Sequence, residues 1–267
     1  MGKNHICLVL SSLKMWCEDF SYDFYECLLK KISIKYKVSL FTEALQLNEI
    51  QKPCIFIRHD IDISPRVALR MAMIEQMHGI RSTYMIMNRP FTYSLDNQDH
   101  VNLLLRISDL GHDLGLHYVS TDIDKGPERE GILRMKLAGA REMLQGKINR
   151  PINSFSFHIP DERLMGGPLI ISDMINAYSS ELMGNYISDS KGTWREGNPM
   201  ARLDSGDKDV TQILVHPIWY GEKHLIAEER IQEFFDEELK INQDRFSNRL
   251  DNSLCDVGIK VLRRNIL

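Results

Sequence analysis

Asp60, Asp62, His117, His158 and His216 are the residues of this chain whose types and spacing suit chemistry, and each stands at the end of an apolar run. Asp60 and Asp62 lie two apart in Arg58-His59-Asp60-Ile61-Asp62, and on an extended strand that spacing puts both on one face. Paired carboxylates repel, so one proton affinity rises unless a cation intervenes. A divalent metal answers the repulsion, with one Asp as ligand and the other taking a proton from water beside the metal. Asp62 and Ser64 also read as caps for a helix entered at Pro65, but a cap leaves Asp60 unexplained. His117 closes Asp-Leu-Gly-Leu-His, His158 closes Ser-Phe-Ser-Phe-His and His216 closes Ile-Leu-Val-His. A neutral imidazole is a good ligand for a divalent metal, and a protonated one donates to a leaving amine near neutral pH. Sequence alone leaves those two roles unassigned. His112, at the other end of the run that carries His117, is expected to be structural.

For these five residues to meet, the runs they close must end on the same side of a sheet. Cys54–Arg58 reads as a buried strand, and Pro65–His78 as a helix that begins on a proline and stops before Gly79. Arg81–Met87 is rich in strand formers, and Asn97–Leu110 has apolar residues near helical spacing. Asp113–Tyr118, Ser154–His158 and Thr211–His216 read as further strands, with Glu128–Leu144 as a crossover helix. Strands alternating with helices predict an α/β fold around a mainly parallel sheet, a barrel or a wound sheet. In such folds ligands gather at the carboxyl ends of the strands, where all five residues fall.

Composition narrows the function classes. Lys and Arg number 33 against 37 Asp and Glu, a formal net charge of -4, so no basic field drives binding to a nucleic acid backbone. The hydrophobic fraction of 43% is enough for a core, yet no run approaches the ~20 apolar residues of a membrane span. No secretory signal pattern follows the short run Ile6–Leu10, and a cytoplasmic address is expected. The five cysteines are scattered without a Cys-x-x-Cys pair and are expected to be small buried hydrophobes. One domain is expected over residues 1–267, with an extension of strand and helix (1–53), a core (54–220), and a helix and tail (221–267). Glu228–Lys240 reads as an amphipathic helix with a solvated outer face.

The ordered set Arg-His-Asp-Ile-Asp-Ile-Ser-Pro, Gly-His-Asp-Leu-Gly-Leu-His-Tyr, Phe-Ser-Phe-His-Ile-Pro and Leu-Val-His-Pro-Ile-Trp-Tyr resembles the polysaccharide deacetylases, or NodB-homology domains, of carbohydrate esterase family 4. The resemblance covers roughly residues 54–220 and is narrower to a cytoplasmic branch found with surface-polysaccharide biosynthesis. It implies a distorted (β/α) barrel and metal-dependent removal of an N-acetyl or N-formyl group from a sugar carried on a nucleotide or lipid. By this resemblance Asp60 is the general base, His216 the general acid, and Asp62 and His117 ligands of a divalent cation, Zn²⁺ by preference. The family's second ligand histidine falls at Thr121, so the usual set is incomplete. His158 is the preferred replacement, with Asp122 and Asp124 as alternatives. His158 also stands where the family places an arginine that orients the base, a task that Arg58 or Arg195 would otherwise take. Trp194, Arg195 and Trp219 are expected to contact substrate, Tyr220 is a further aromatic candidate, and Asp189 is a partner for a histidine. Neither nucleic acid nor a membrane span is expected, and a homo-oligomer is left open. Two rival readings remain: a degenerate domain that binds a glycan or a biosynthetic partner without hydrolysis, and a hydrolase of small non-sugar amides, as in allantoinase-like relatives.

Overall fold

The computed structural model describes residues 19–120, 129–205 and 208–256. The run Cys54–Ile61 is buried at every position and forms the central strand β2. Its alternation sends Phe56, Arg58 and Asp60 to one face and Ile55, Ile57, His59 and Ile61 to the other. Strand β1 (Lys37–Ser39) pairs with the first residues of β2, and β3 (Thr83–Met87) takes over the same edge from Arg58. Strand β4 (Asp113–Val119) lies beside β3, β5 (Ser154–His158) beside β4 and β7 (Met174–Asn176) beside β5. The two-residue β6 (Ile170–Ile171) closes that side in the one antiparallel pairing among the described strands. On the other edge of β2 comes β9 (Val210–Val215), then β8 (Asn185–Ser188).

The resulting order is β6-β7-β5-β4-β3-β2-β9-β8, with β1 off this path, and it leaves β7 and β8 near opposite ends. Yet Gln212 of β9 donates to the Ala177 carbonyl just past β7 at 2.7 Å, and the rings of Tyr178 and Tyr186 are 6.5 Å apart. The sheet therefore curls until its ends meet through side chains rather than through a backbone ladder. This is an α/β fold, a distorted (β/α) barrel.

Helices α1 (Tyr22–Lys35), α2 (Pro65–Met77), α3 (Gln98–Asp109) and α4 (Arg129–Ile148) belong to the same unit as the sheet. They pack on the outer side chains of the strands: Leu28, Ile55, Ile57 and Ile74 share one cluster, and Ile86, Leu104, Leu116 and Leu137 another. Ser64, not Asp62, caps α2, its hydroxyl accepting from the Val67 N–H at 3.4 Å. That leaves Asp62 free for the barrel mouth. Inside, Phe41, Cys54, Phe56, Met85 and Leu182 fill the amino-terminal half of the barrel. The carboxyl-terminal half holds the polar side chains instead.

Several boundaries differ from expectation for physical reasons. Strand β2 continues to Ile61, three residues beyond the expected end, because its register with β3 extends that far. The short strands β6–β8, of two to four residues, carry too little alternation to be read from sequence. A second compact unit, Ile226–Leu267, contains helix α5 (Ala227–Asp256), which runs past the expected end at Lys240, since residues 227–256 include neither Gly nor Pro. A six-residue helix, Pro199–Asp204, precedes β9. Cys27 is disulfide-bonded while Cys54 is free and buried, so five unpaired cysteines do not describe this chain. Among the described residues no helix is long and apolar enough to cross a membrane.

Candidate metal centre

Neighbouring parallel strands ending at the same level bring the predicted residues to one place. Strand β2 supplies Asp60 on its inner face and Asp62 immediately beyond its end. In β4, His117 lies level with Met87 of β3 and Ser156 of β5, and His158 is level with Val119. His117 Nε2 lies 3.1 Å from Asp62 Oδ1 and 3.1 Å from His158 Nδ1. His158 Nδ1 is 3.6 Å from the same Asp62 oxygen. One ligand atom from each of Asp62, His117 and His158 falls within 4.8 Å of the others.

The donor set fits a divalent cation. Asp62 Oδ1 is buried and takes part in no hydrogen bond of good geometry, although two imidazole nitrogens face it. One carboxylate oxygen and two imidazole nitrogens match the three-ligand sets of catalytic zinc sites, which leave a position open. Burial alone would raise the proton affinity of Asp62, but the close imidazoles of His117, His158 and His216 outweigh it and hold the carboxyl far below its ordinary range. The close Asp62 carboxylate in turn raises His158.

Asp60 sits behind this group, 2% exposed, with Oδ2 3.6 Å from His117 Nε2. Arg58, two residues earlier on the same face, holds it: Nε lies 3.1 Å from Oδ1, and a terminal nitrogen donates to Oδ2 at 3.2 Å. The guanidinium also donates to Gln212 Oε1 at 3.1 Å and to the Tyr178 hydroxyl at 2.9 Å, and it lies 4.6 Å from the Tyr178 ring centre. The task of orienting Asp60 therefore falls to Arg58. Arg195, the alternative, has an exposed side chain in the loop after β8.

His216 enters from the opposite side. Because β8 and β9 run parallel and in register, Asp189, the residue after β8, lies against His216, the residue after β9. The backbone N–H of His216 donates to the Asp189 carboxylate, and Nδ1 is 2.6 Å from Asp189 Oδ1. Nε2 is thereby turned toward the centre, 3.8 Å from Asp62 Oδ2. Burial would lower the proton affinity of His216, but Asp189, then Asp60 and Asp62, raise its pKa to about 9. The arrangement presents a protonated imidazole beside the three-donor pocket.

The expected substrate aromatics are placed less favourably. Trp194 is 4% exposed, and its ring stacks on Phe20 at 6.1 Å, so no open face remains to stack on a sugar. Tyr220 is buried edge-on against Phe20 and Tyr25. Trp219 is half-buried in the turn Pro217–Trp219, directly after His216. Thr121, Asp122 and Asp124 lie outside the described residues. His112 is far from the centre, its Nε2 3.0 Å from the Ala72 carbonyl and its Nδ1 accepting from the Ser82 N–H at 3.2 Å.

Sequence reasoning missed Ser156, Tyr178 and Gln212. The alternation in Ser-Phe-Ser-Phe-His places Ser156 on the face of His158, and in Thr-Gln-Ile-Leu-Val-His it places Gln212 on the face of His216. A polar side chain on the inner face of a buried strand was the available signal. No comparable signal marked Tyr178, which follows the three-residue β7.

No protein-family model matches the chain, and no curated protein is similar enough to be matched. Among solved structures, a peptidoglycan deacetylase from Bacillus subtilis aligns at 15% identity over 76% of this chain and 98% of that one, with a TM-score of 0.41. A family 4 acetyl xylan esterase from Clostridium thermocellum, in complex with a cobalt ion, aligns at 14% identity over 69% and 84%, with a TM-score of 0.36. A family 4 carbohydrate esterase pseudoenzyme from Bacillus anthracis aligns at 13% identity over 62% of this chain, with a TM-score of 0.42. The aligned region spans 56% of that protein's length. At these TM-scores the likenesses carry no argument about activity. The chain is similar in this limited degree to family 4 carbohydrate esterases, active and inactive alike.

Proposed function

We propose that this chain is a metal-dependent hydrolase that removes an N-acyl group, acetyl or formyl, from a sugar on a nucleotide or lipid carrier, destined for surface polysaccharide. The observation that carries the reading is the meeting of Asp62, His117 and His158 between a held carboxylate, Asp60, and a protonated imidazole, His216. Asp62, His117 and His158 would hold the cation, with Zn²⁺ the natural choice for one oxygen and two nitrogen donors. When bound, the cation supplies Lewis acidity to the acyl carbonyl and to water. Asp60 takes the proton of the attacking water as the new C–O bond forms. The amide C–N bond then breaks, and His216 delivers its Nε2 proton to the departing amine. Arg58 keeps Asp60 aimed, and Asp189 keeps His216 both aimed and charged.

The test is acetate and formate release from N-acylated amino sugars, free and on nucleotide or lipid carriers, by protein reconstituted with Zn²⁺, Co²⁺ or Mn²⁺. Release that needs the cation and disappears with a chelator supports the reading. Turnover of ureides without turnover of sugars would redirect it to small amides. No turnover by a protein that binds the cation would leave a binding domain.

A further inference from the structure

Ser156 is buried to 0% exposure at the centre of β5, level with His117, and no step above uses it. Its hydroxyl lies 2.7 Å from His117 Nδ1 and 3.4 Å from Asp60 Oδ1. A hydroxyl has one proton, and a carboxylate paired with a guanidinium only accepts. If Ser156 gives its proton to Asp60, its lone pair is left for His117 Nδ1–H. His117 Nε2 then carries a lone pair, and that is the nitrogen facing Asp62 Oδ1 and His158 Nδ1.

We infer that Ser156 is the positioning residue of the candidate metal centre, linking Asp60 to His117 so that His117 presents Nε2 as its ligand atom. This inference rests on the metal-centre reading. The same distances also resemble a nucleophilic triad, with Ser156 on one nitrogen of His117 and Asp62 on the other. Burial excludes that role: Ser156 exposes no surface, so no substrate carbonyl reaches its oxygen. The hydroxyl instead works from behind the ligand. Partners behind ligating histidines fix tautomer and ring orientation, and losing one typically costs about 10- to 100-fold in metal affinity.

The consequence is a direct dependence of cation affinity on one buried hydroxyl that touches neither cation nor substrate. The experiment is competition of the full chain with a chromophoric chelator for Zn²⁺, together with ¹⁵N-resolved imidazole spectra of the Zn²⁺-loaded protein. In the wild type, His117 Nδ1–H should appear as a hydrogen-bonded resonance. Ser156→Ala should weaken Zn²⁺ binding by about 10- to 100-fold and move that resonance out of the hydrogen-bonded range. Ser156→Thr, which keeps the hydroxyl, should stay within a few-fold of wild type and retain the resonance. Equal affinity in wild type and Ser156→Ala overturns the inference while leaving the metal centre standing. A wild-type chain that binds no cation overturns the metal centre itself. Should Ser156→Ala fail to fold, the wild-type resonance decides: a His117 N–H outside the hydrogen-bonded range overturns the inference without any substitution.

Discussion

At the scale of single residues, the candidate centre separates groups that hold a cation from groups that move protons. His158→Gln and Asp62→Ala remove one donor of three and should abolish stoichiometric cation binding, measured as bound metal after dialysis. Asp60→Asn is nearly isosteric and takes no ligand position, so it should keep the cation and lose turnover. Equal metal loss in Asp60→Asn would make Asp60 a ligand rather than a base. His216 depends on Asp189 in a way that pH can read. The Asp189 carboxylate raises the proton affinity of His216, so the proton is held at neutral pH and lost on the alkaline side. An acid that must be protonated gives a rate that falls as pH rises through its pKa. Asp189→Asn removes the carboxylate, and the alkaline limb of the pH-rate profile should move to lower pH. A limb that stays in place would show that another group supplies the proton. His216→Asn should lower the rate by about 10²- to 10⁴-fold with the cation retained.

At the scale of elements, the centre depends on how closely β3, β4 and β5 approach inside the barrel. Gly115, two residues before His117 on the same inner face, lies between the side chains of Met85 from β3 and Ser154 from β5 with no room for a Cβ. A Cβ there would lie 2.3 Å from Met85 Sδ and 2.9 Å from Ser154 Oγ. Gly115→Ala should therefore destabilise the fold by roughly 1–3 kcal/mol through overpacking, read as a lower denaturant midpoint, and it should weaken cation binding if β4 shifts. Unchanged stability would mean that Met85 swings aside at no cost. The elements bearing the five residues were legible because each is a long buried strand ending on a polar group. Ser154–His158 occupies the span expected from its alternation. The far edge was not legible, since β6, β7 and β8 owe their existence to neighbours rather than to their own pattern. The same holds for the site: Asp60 and Asp62 announce themselves by spacing, whereas the choice of Arg58 over Arg195 needs the fold, in which Gln212 of the neighbouring β9 and Tyr178, just past β7, hold the guanidinium in place.

At the scale of the sheet-and-helix unit, the outer face of β2 is anchored by a second buried polar group, and its pH behaviour can be predicted. Glu75 of α2 is fully buried. The hydroxyls of Tyr25 from α1 and Ser82 donate to it at 2.6 Å and 2.5 Å, and Tyr84 from β3 donates at 2.8 Å. His59 Nε2, from β2, lies 2.8 Å from Glu75 Oε1, so one carboxylate ties two helices to two strands. Burial would raise its proton affinity, but His59, His112 and Ser82 outweigh that and lower the pKa to about 2. A carboxyl whose pKa is depressed by folding stabilises the native state above its unfolded pKa of ~4.3. That contribution, on the order of 3 kcal/mol, is lost as pH falls from about 4.3 through 2. Glu75→Gln should be less stable than wild type at pH 7, because the hydroxyls of Tyr25, Ser82 and Tyr84 lose their charged acceptor. The gap between the two proteins should then narrow on acidification through this window, as the unfolded wild type takes up a proton that the variant cannot. Denaturant midpoints for both proteins between pH 7 and pH 3 measure it. A gap that stays constant with pH would mean that Glu75 has the same proton affinity folded and unfolded, and a gap that widens on acidification would mean that it is already protonated in the native state.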